Sequence, residues 1–356
     1  MLHQTLRRIE PVDPNLLVQA QIKLDQLTKP LGSLGRLEEL AAQYVAISGN
    51  LNPSCPRSRV LTLAADHGIA CEGVSAYPSS VTSQMVSNFL NGGAAINILA
   101  RHVGAEVQVV DMGVSRDLSH LTGLVVRKVG LGTKNFLHGP AMTREEAIQS
   151  VEAGIALVEQ AYAEGVRLVA MGEMGIGNTT SSTAISAVMT RQSVSHMTGR
   201  GTGIENTRLA HKIQVIEQAL AVNQPQAEDP LDVLAKVGGF EIGGLVGMIL
   251  GGAARSIPVV LDGFIAGAAA LLAVGLAPVC QQYLIASHLS GEVGHRVVLD
   301  HLQLRPLLHL ELCLGEGTGA CLAIGLLQTS IQLMTQMATF DSAAVDRMIT
   351  TELEST

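Results

Sequence analysis

Five short apolar runs recur along the chain, and each ends in a polar residue and is followed by a helical pattern. The runs are 60–65, 107–110, 168–171, 258–261 and 283–286. Apolar runs of this length that alternate with helical segments are typical of parallel strands joined by crossover helices. The spacing therefore predicts an α/β fold built on a parallel sheet.

The residues that end these runs are rich in acids, hydroxyls and imidazoles. They are Asp66 with His67, Asp111, Glu173, Asp262, and Ser287 with His288. Any one could be an ordinary cap at a strand end, but ligands of parallel α/β sheets bind beyond the carboxyl ends of the strands. Five such ends together favour one shared site, and we keep Asp66 and His67 as possible members of it.

Composition supports a large buried core and excludes some partners. Of 356 residues, 47% are hydrophobic and only 15% are charged, while aromatic residues make up 3%. The net charge is −8, whereas a nucleic-acid binder would carry a basic surplus. The five cysteines are an odd number without a CxxC pair, which is typical of reduced thiols in a cytoplasmic protein. We therefore predict a cytoplasmic protein without a nucleic-acid partner.

Two stretches bear on targeting. Residues 1–14 contain charges and no apolar core, so we predict no signal peptide. The uncharged run 263–280 has the nominal length of a membrane span, but it is rich in Ala and Gly and follows Asp262 directly. We interpret it as a buried helix and expect no membrane association.

Helix signals mark several other segments. Residues 14–48 show two apolar stripes separated by Pro30, which predicts a pair of helices outside the sheet. Thr143 and Glu146 have the spacing of a capping box. At the far end, a long helix from Thr318 should be followed by a short one capped by Asp341.

The turn 315–320 places Glu316 between glycines, where a ligand can approach both carboxylate and backbone. A solvated surface loop is the alternative, but Leu312 and Leu314 before the turn are predicted to be core. Glu316 is thus a candidate general base. The turn also fits the dinucleotide fingerprint G-x-G-x-x-A with Asp341 downstream. We reject that match because a helix, not a strand, is predicted before Asp341.

A second acid, Glu173, precedes a glycine-rich turn and a hydroxyl-rich helix start at 175–180. Free amides and hydroxyls at a helix N-terminus bind phosphate. The stretch lacks the Gly-Lys-Ser/Thr ending of a nucleotide P-loop. Taken alone, it is equally consistent with an ordinary strand-to-helix turn.

Two basic residues and four histidines are further candidates for binding a ligand. Arg200, in the loop 199–203, and Lys212 could both bind the same anion, although each taken singly fits a surface cation. The spacing of His288, His295, His301 and His309 matches no compact ligand motif, so we predict no metal site and interpret them as surface or hydrogen-bonded residues.

Six motifs in order produce a resemblance that runs from about residue 5 to about 340. They are Lys29–Glu38, Ala65–Gly68, Gly172–Thr180, Lys236–Phe240, Leu261–Phe264 and Leu314–Ala320. In this order the chain closely resembles the nicotinate-nucleotide–dimethylbenzimidazole phosphoribosyltransferase family, which builds the lower ligand of cobalamin.

The resemblance implies transfer of phosphoribose from nicotinate mononucleotide to 5,6-dimethylbenzimidazole, which gives α-ribazole 5′-phosphate and nicotinate. It implies Glu316 as general base and Glu173 as supporting carboxylate, with no cofactor and no metal. It also implies a homodimer, and a Rossmann-like large domain with a parallel sheet flanked by helices beside a small helical domain. The small domain is predicted from residues 1–48 and part of 290–356, the large one from 49–290 and the turn 310–320.

Further site residues follow from matching the motifs. The phosphate is assigned to Gly175, Ile176, Gly177, Asn178, Thr179, Thr180, Gly201, Thr202 and Lys212. The segment 77–88 should line the base pocket, and Tyr77 and Met85 stand where some family members have serine and glutamine. Asp262, Ser287 and Leu314 complete the predicted set. A nucleotide sensor and a dinucleotide-dependent reductase are the alternative functions, but a sensor has no use for two carboxylates.

Overall fold

Six parallel strands form one sheet in the computed structural model, which describes residues 1–201 and 203–347. The strands are Ser58–Ala65 (β1), Glu106–Gly113 (β2), Val125–Val126 (β3), Leu168–Met174 (β4), Val259–Leu261 (β5) and Leu284–Ala286 (β6). All five predicted runs are strands. The two-residue β3 was not predicted, because it is too short to produce a periodic pattern.

The order of the strands is β3-β2-β1-β4-β5-β6, and every neighbouring pair is parallel. All residues of β1 are buried, as expected for a central strand covered by helices on both faces. The chain moves outward from β1 to β3 and then returns to place β4 beside β1, so the direction of winding reverses between them. This doubly wound, Rossmann-like sheet confirms the predicted fold class.

Fifteen α-helices are present among the described residues. They are Leu2–Leu6 (α1), Pro14–Asp25 (α2), Arg36–Ser48 (α3), Ser80–Leu90 (α4), Ala95–Val103 (α5), Arg144–Ala163 (α6), Asn178–Thr190 (α7), Val194–Met197 (α8), Asn206–Asn223 (α9), Pro230–Val237 (α10), Phe240–Ala254 (α11), Phe264–Leu276 (α12), Val293–His301 (α13), Thr318–Gln336 (α14) and Phe340–Ala343 (α15).

Local capping explains where two of these helices begin. The Thr143 hydroxyl accepts the Glu146 amide at 3.1 Å and the Glu146 carboxylate accepts the Thr143 amide at 2.7 Å, which confirms the predicted capping box at α6. The predicted cap of the last helix was wrong. Thr339 caps α15 and Asp341 lies inside it, because the Thr339 side chain accepts the Ser342 amide.

Small residues let helices approach closely in the larger part of the molecule. A Cβ atom on Gly154 of α6 would lie 1.9 Å from the Gly244 carbonyl oxygen of α11, so these two helices are in backbone contact. The uncharged run after Asp262 contains α12, whose residues Phe264–Ala273 are buried, as predicted. No helix in the described part of the chain combines the length and apolar character that a membrane crossing requires.

The chain divides into two compact units. Among the described residues, the larger contains 1–11, 57–201 and 203–324, and the smaller contains 12–56 and 325–347. In this division residues 1–11 and 290–309 fall in the larger unit, whereas the sequence analysis assigned 1–48 and part of 290–356 to a small domain. The predicted domain boundaries remain a proposal.

The smaller unit has its own core, in which α2, α3 and the later part of α14 contribute Leu24, Val45 and Met334. Lys29 and Glu38 form a buried ion pair there, with Nζ and Oε1 2.8 Å apart. This pair joins the two ends of the turn that contains Pro30 and so stabilises the break between the two predicted helices.

Candidate active site

A cavity of about 570 Å³ lies at the carboxyl edge of the sheet in the larger unit. Ten predicted site residues line it, namely Tyr77, Met85, Glu173, Gly175, Ile176, Asn178, Thr179, Gly201, Leu314 and Glu316. Gly177, Thr180, Lys212, Asp262 and Ser287 are not among the lining residues, and Thr202 lies outside the described residues. The cavity opens beside the point where winding reverses, which is where doubly wound sheets bind ligands.

Glu316 sits in a turn of unusual backbone conformation. Gly315, Glu316 and Gly317 have φ angles of +84°, +64° and +97°, and a left-handed φ is uncommon for a residue with a side chain. Such strain persists only where surrounding contacts enforce it. Here Asp262 enforces it by accepting the Gly317 amide at 3.1 Å and the Ala320 amide at 3.0 Å.

The turn also packs against the sheet. Thr62 of β1 donates to the Glu316 carbonyl at 3.2 Å, and a Cβ atom on Gly172 of β4 would lie 2.4 Å from that same oxygen. Glycine at 172 is therefore required for the turn to approach the strand. Contacts with the neighbouring strands β1 and β4 thus fix the position of Glu316.

The Glu316 carboxyl group is 5% exposed and accepts the Ile96 amide at 3.4 Å. Ile96 lies in the first turn of α5, so a helix N-terminus faces the carboxylate. Burial raises the pKa of Glu316, and the Ile96 amide partly offsets that increase. A carboxylate with a raised pKa accepts a proton more readily than an exposed one.

Glu173 ends β4 and has a different environment. Asn178 donates to its Oε2 atom. Burial, followed by the nearby charges of Asp262 and Glu241, raises the pKa of Glu173 to about 8. The unliganded site therefore keeps this carboxyl group largely protonated at neutral pH.

Asp262 and Ser287 support the site from behind its wall. Burial raises the pKa of Asp262 to about 7, although the amides of Ala320, Gly317 and Gly319 oppose the increase. The Ser287 hydroxyl donates to the Asp262 carbonyl at 3.1 Å. Both residues are thereby engaged in positioning the Glu316 turn.

One end of the cavity is polar. Lys212 is fully buried and donates to the Thr179 hydroxyl at 2.9 Å, so the alternative of a surface cation is wrong for this residue. Burial lowers the pKa of Lys212 to about 8. Arg200 is exposed instead, and its guanidinium bonds the Ile204 carbonyl at 2.8 Å and also the Asn206 side chain.

Three backbone amides of the predicted phosphate loop already have partners. The Ile176 amide donates to the Thr82 hydroxyl at 3.1 Å, the Asn178 amide to the Gly175 carbonyl at 3.0 Å and the Thr180 amide to the Gly177 carbonyl at 2.9 Å. The Thr179 hydroxyl, with the Lys212 ammonium behind it, adds side-chain groups that can bind an anion at this end.

The other wall is apolar and open. Tyr77 is 56% exposed and Leu314 is 58% exposed, and Val81 and Met85 are half-buried beside the same cavity. The prediction that Leu314 belongs to the core was wrong, because the segment before the glycine turn borders the cavity rather than the sheet. Exposed apolar side chains around a pocket are suited to a flat hydrophobic ligand.

Asp66 and His67 lie behind the site. His67 contacts Glu241 through Nε2 at 2.5 Å and Ser181 through Nδ1 at 3.0 Å. Asp66 accepts the amide and hydroxyl of Ser115 at 2.8 Å and 2.7 Å. Both are buried and neither is a lining residue of the cavity, so they hold neighbouring loops in place.

The lining residues that were not assigned to the site from the sequence include three with hydrogen-bonding side chains. They are His288, Ser290 and Glu292, on the segment after β6. His288 and His295 were interpreted as surface or hydrogen-bonded residues, and both are buried and hydrogen-bonded. The polar end of the fifth apolar run was the available signal, but a segment without a motif could not be placed by spacing alone.

Comparison with known proteins agrees with this architecture. A family profile described as phosphoribosyltransferase matches residues 9–345. The chain is therefore an α/β phosphoribosyltransferase.

Relatives with assigned names identify the family within the phosphoribosyltransferases. The nicotinate-nucleotide–dimethylbenzimidazole phosphoribosyltransferase of Geotalea uraniireducens is 55% identical over 97% of this chain and 98% of its own. The protein of the same name from Geobacter sulfurreducens is 56% identical over 97% and 98%. The crystal structure of CobT from Thermus thermophilus has a TM-score of 0.90 at 48% identity, covering 94% of this chain and all of that one. The chain belongs to the nicotinate-nucleotide–dimethylbenzimidazole phosphoribosyltransferase family.

Proposed function

We propose that this enzyme transfers phosphoribose from nicotinate mononucleotide to 5,6-dimethylbenzimidazole, in the assembly of the cobalamin nucleotide loop. The products are α-ribazole 5′-phosphate and nicotinate. The names of the relatives support the substrates. The observation that carries the proposal is that one cavity has Glu316 and Glu173 on its wall, Thr179 backed by the buried Lys212 ammonium at one end and an apolar wall at the other.

The reaction needs one proton acceptor. A ring nitrogen of the benzimidazole attacks the ribose C1′ atom, and the bond from C1′ to the pyridinium nitrogen breaks with its electron pair going to nicotinate. The other ring nitrogen then carries a proton that must leave. In the proposal Glu316 takes it, because burial raises the pKa of this carboxyl group.

Glu173 acts on the ribose. Positive charge develops at C1′ as the pyridinium leaves, and a neighbouring carboxylate stabilises such a centre, as it does in glycosidases. The unliganded site keeps Glu173 largely protonated, but the bound pyridinium cation favours its ionised form. Donor binding therefore prepares this carboxylate for the transfer.

The polar end and the apolar wall of the cavity are assigned to different substrates. We assign the donor phosphate to the end that contains Thr179 and Lys212, where the buried ammonium compensates its charge. The incoming base is assigned to the wall of Tyr77, Met85 and Leu314. Because this wall is apolar, benzimidazoles with methyl substituents should be preferred over those with hydroxyl groups.

A single assay tests the reaction and the base preference. Purified enzyme is incubated with nicotinate mononucleotide and a panel of benzimidazoles that differ in their 5- and 6-substituents, and products are separated by chromatography. We expect equal amounts of nicotinate and nucleotide product, with 5,6-dimethylbenzimidazole among the best acceptors. Absence of nicotinate release with every base would contradict the proposed function.

A homodimer and a cytoplasmic location stay predictions from the sequence. Val18 and Ile22, one turn apart on α2 in the smaller unit, are 59% and 55% exposed, which is consistent with a covered surface in an oligomer. The alternative function of a dinucleotide-dependent reductase is not supported by the structure around Asp341. Residues 318–336 are helical, so the strand that a dinucleotide fingerprint requires before Asp341 is not found in that stretch.

A further inference from the structure

A third carboxylate, Glu292, faces the polar end of the cavity. It lies just before α13, is 8% exposed and lines the cavity. Its Oε2 atom is buried and has no hydrogen-bond partner within the described residues. A buried carboxylate oxygen without a donor is costly unless it is protonated or receives a ligand.

The loop that contains Gly199 and Gly201 brings Glu292 close to the buried cation. A Cβ atom on Gly199 would lie 1.9 Å from the Glu292 Oε2 atom, and one on Gly201 would lie 3.3 Å from the Lys212 Nζ atom and 2.9 Å from the Thr179 hydroxyl. The two glycines thus leave room for a carboxyl group and an ammonium on the same side of the cavity. Together these groups are nearly neutral, whereas the phosphate to be bound carries close to two negative charges at neutral pH.

Few other charges face Glu292. On its own segment and the following helix, burial lowers the pKa of His288 to about 4 and that of His295 to about 3, so both are neutral. Helix α7 contributes no titratable side chain to this region, and neither does α12. The other basic side chains of the surrounding elements are exposed, namely His196 on α8, Arg200 in the loop, Arg208 and His211 on α9, and Arg296 on α13.

We propose that Glu292, as a carboxylic acid, donates a hydrogen bond to the phosphate of the donor, so that the donor binds together with one proton. The identity of the donor rests on the proposed function. In its ionised form Glu292 would repel the phosphate across a poorly solvated gap. As an acid it supplies a donor that Lys212 and Thr179 alone do not provide on that side.

The groups around Glu292 determine whether this residue takes up or releases a proton when the phosphate binds. Burial already raises the pKa of Glu292, opposed by Lys212 and the Gly201 amide, and a bound dianion raises it further. Proton uptake at Glu292 means that the dissociation constant of a phosphate without a pyridinium, such as ribose 5-phosphate, increases with pH, by up to about tenfold per unit where Glu292 is ionised in the free enzyme. For the full donor, ionisation of Glu173 acts on the KM in the opposite direction.

Calorimetry of the full-length enzyme tests the proposal directly. Binding of nicotinate mononucleotide, ribose 5-phosphate and sulfate is measured at pH 7 in buffers that differ in ionisation enthalpy. Sulfate does not titrate near this pH, so any proton it brings is taken up by the protein. We expect uptake of up to about one proton per site with ribose 5-phosphate and with sulfate. Nicotinate mononucleotide should show a smaller net uptake, because its pyridinium favours loss of the Glu173 proton, and nicotinate riboside, which lacks the phosphate, should show no uptake.

Three variants test whether Glu292 is the group that takes up the proton. Glu292→Gln should abolish the uptake at pH 7 and tighten donor binding at pH 8 by about three- to tenfold, since the amide donates without being charged. Glu292→Asp should retain the uptake. Glu228→Gln, the same change at an exposed carboxylate paired with Arg191, should leave it unchanged.

The outcomes separate this inference from the proposed function. Absence of proton uptake with ribose 5-phosphate and sulfate in the unaltered enzyme, or equal uptake after Glu292→Gln, would overturn the role of Glu292 even if phosphoribosyl transfer is normal. Proton-coupled binding of ribose 5-phosphate without transfer to any benzimidazole would instead overturn the proposed function and leave the role of Glu292 intact.

Discussion

The two glycine-flanked glutamates look alike in the sequence but occupy different electrostatic environments. Glu173 ends a strand among other carboxyl groups, and its pKa is raised to about 8. Glu316 lies in a strained turn where the Ile96 amide at the start of α5 favours its charged form. The difference supports the proposed division of roles, in which Glu316 exchanges a proton with the incoming base and Glu173 responds to the charge of the donor.

The largest effect should come from removing the base. Glu316→Gln is expected to lower kcat by about 10²- to 10⁴-fold, while donor binding measured by calorimetry stays largely intact because the amide occupies the same volume. Glu311→Gln changes an exposed glutamate of the same segment and should leave kcat unchanged. Near-normal turnover of Glu316→Gln would remove the distinction between the two acids.

The second effect is on stability, and it should be specific to Glu173. Because the folded-state pKa is raised to about 8, the folded protein holds a proton that the unfolded chain loses near its ordinary pKa. This contribution is complete at acid pH and is lost as the pH rises toward 8. Glu173→Gln should therefore raise the free energy of unfolding by about 1–3 kcal/mol at pH 8 and hardly at all at pH 5.

Urea denaturation at the two pH values measures this effect. Glu316→Gln serves as the comparison, and its gain at pH 8 should be smaller because fewer carboxyl groups surround Glu316. If the two variants show equal gains, the proposed difference between their surroundings is wrong.

The smallest effect concerns the backbone that separates the two acids. Gly315→Ala introduces a Cβ atom at φ +84°, 2.3 Å from the Glu173 Oε1 atom, so either the turn or Glu173 must move. We expect a loss of about 1–2 kcal/mol in the free energy of unfolding, measured in urea. Gly165→Ala is the matched control, since its φ is +89° and a Cβ atom there would have no neighbour within 4 Å, and a similar loss there would show that the contact with Glu173 is unimportant.

Local patterns were sufficient for much of the fold. The apolar runs predicted five of the strands, and the Thr143 box predicted the start of α6, because both depend on residues adjacent in the chain. The helix α5 was not predicted, and so the amide that contacts Glu316 was missed. That contact joins residues 220 positions apart, a separation over which a sequence pattern carries no distance information.

The sequence by itself determined the parallel sheet, the edge at which the cavity lies and the two acids among glycines, since strand periodicity, caps and motif order are local properties. Only the tertiary structure decided that Lys212 is buried against Thr179, that Leu314 is exposed, and that Glu292 faces the same cavity. The reason is physical. Burial and pKa depend on which groups from distant segments exclude water from a side chain, and they are settled only when the strands and their connecting loops are packed together.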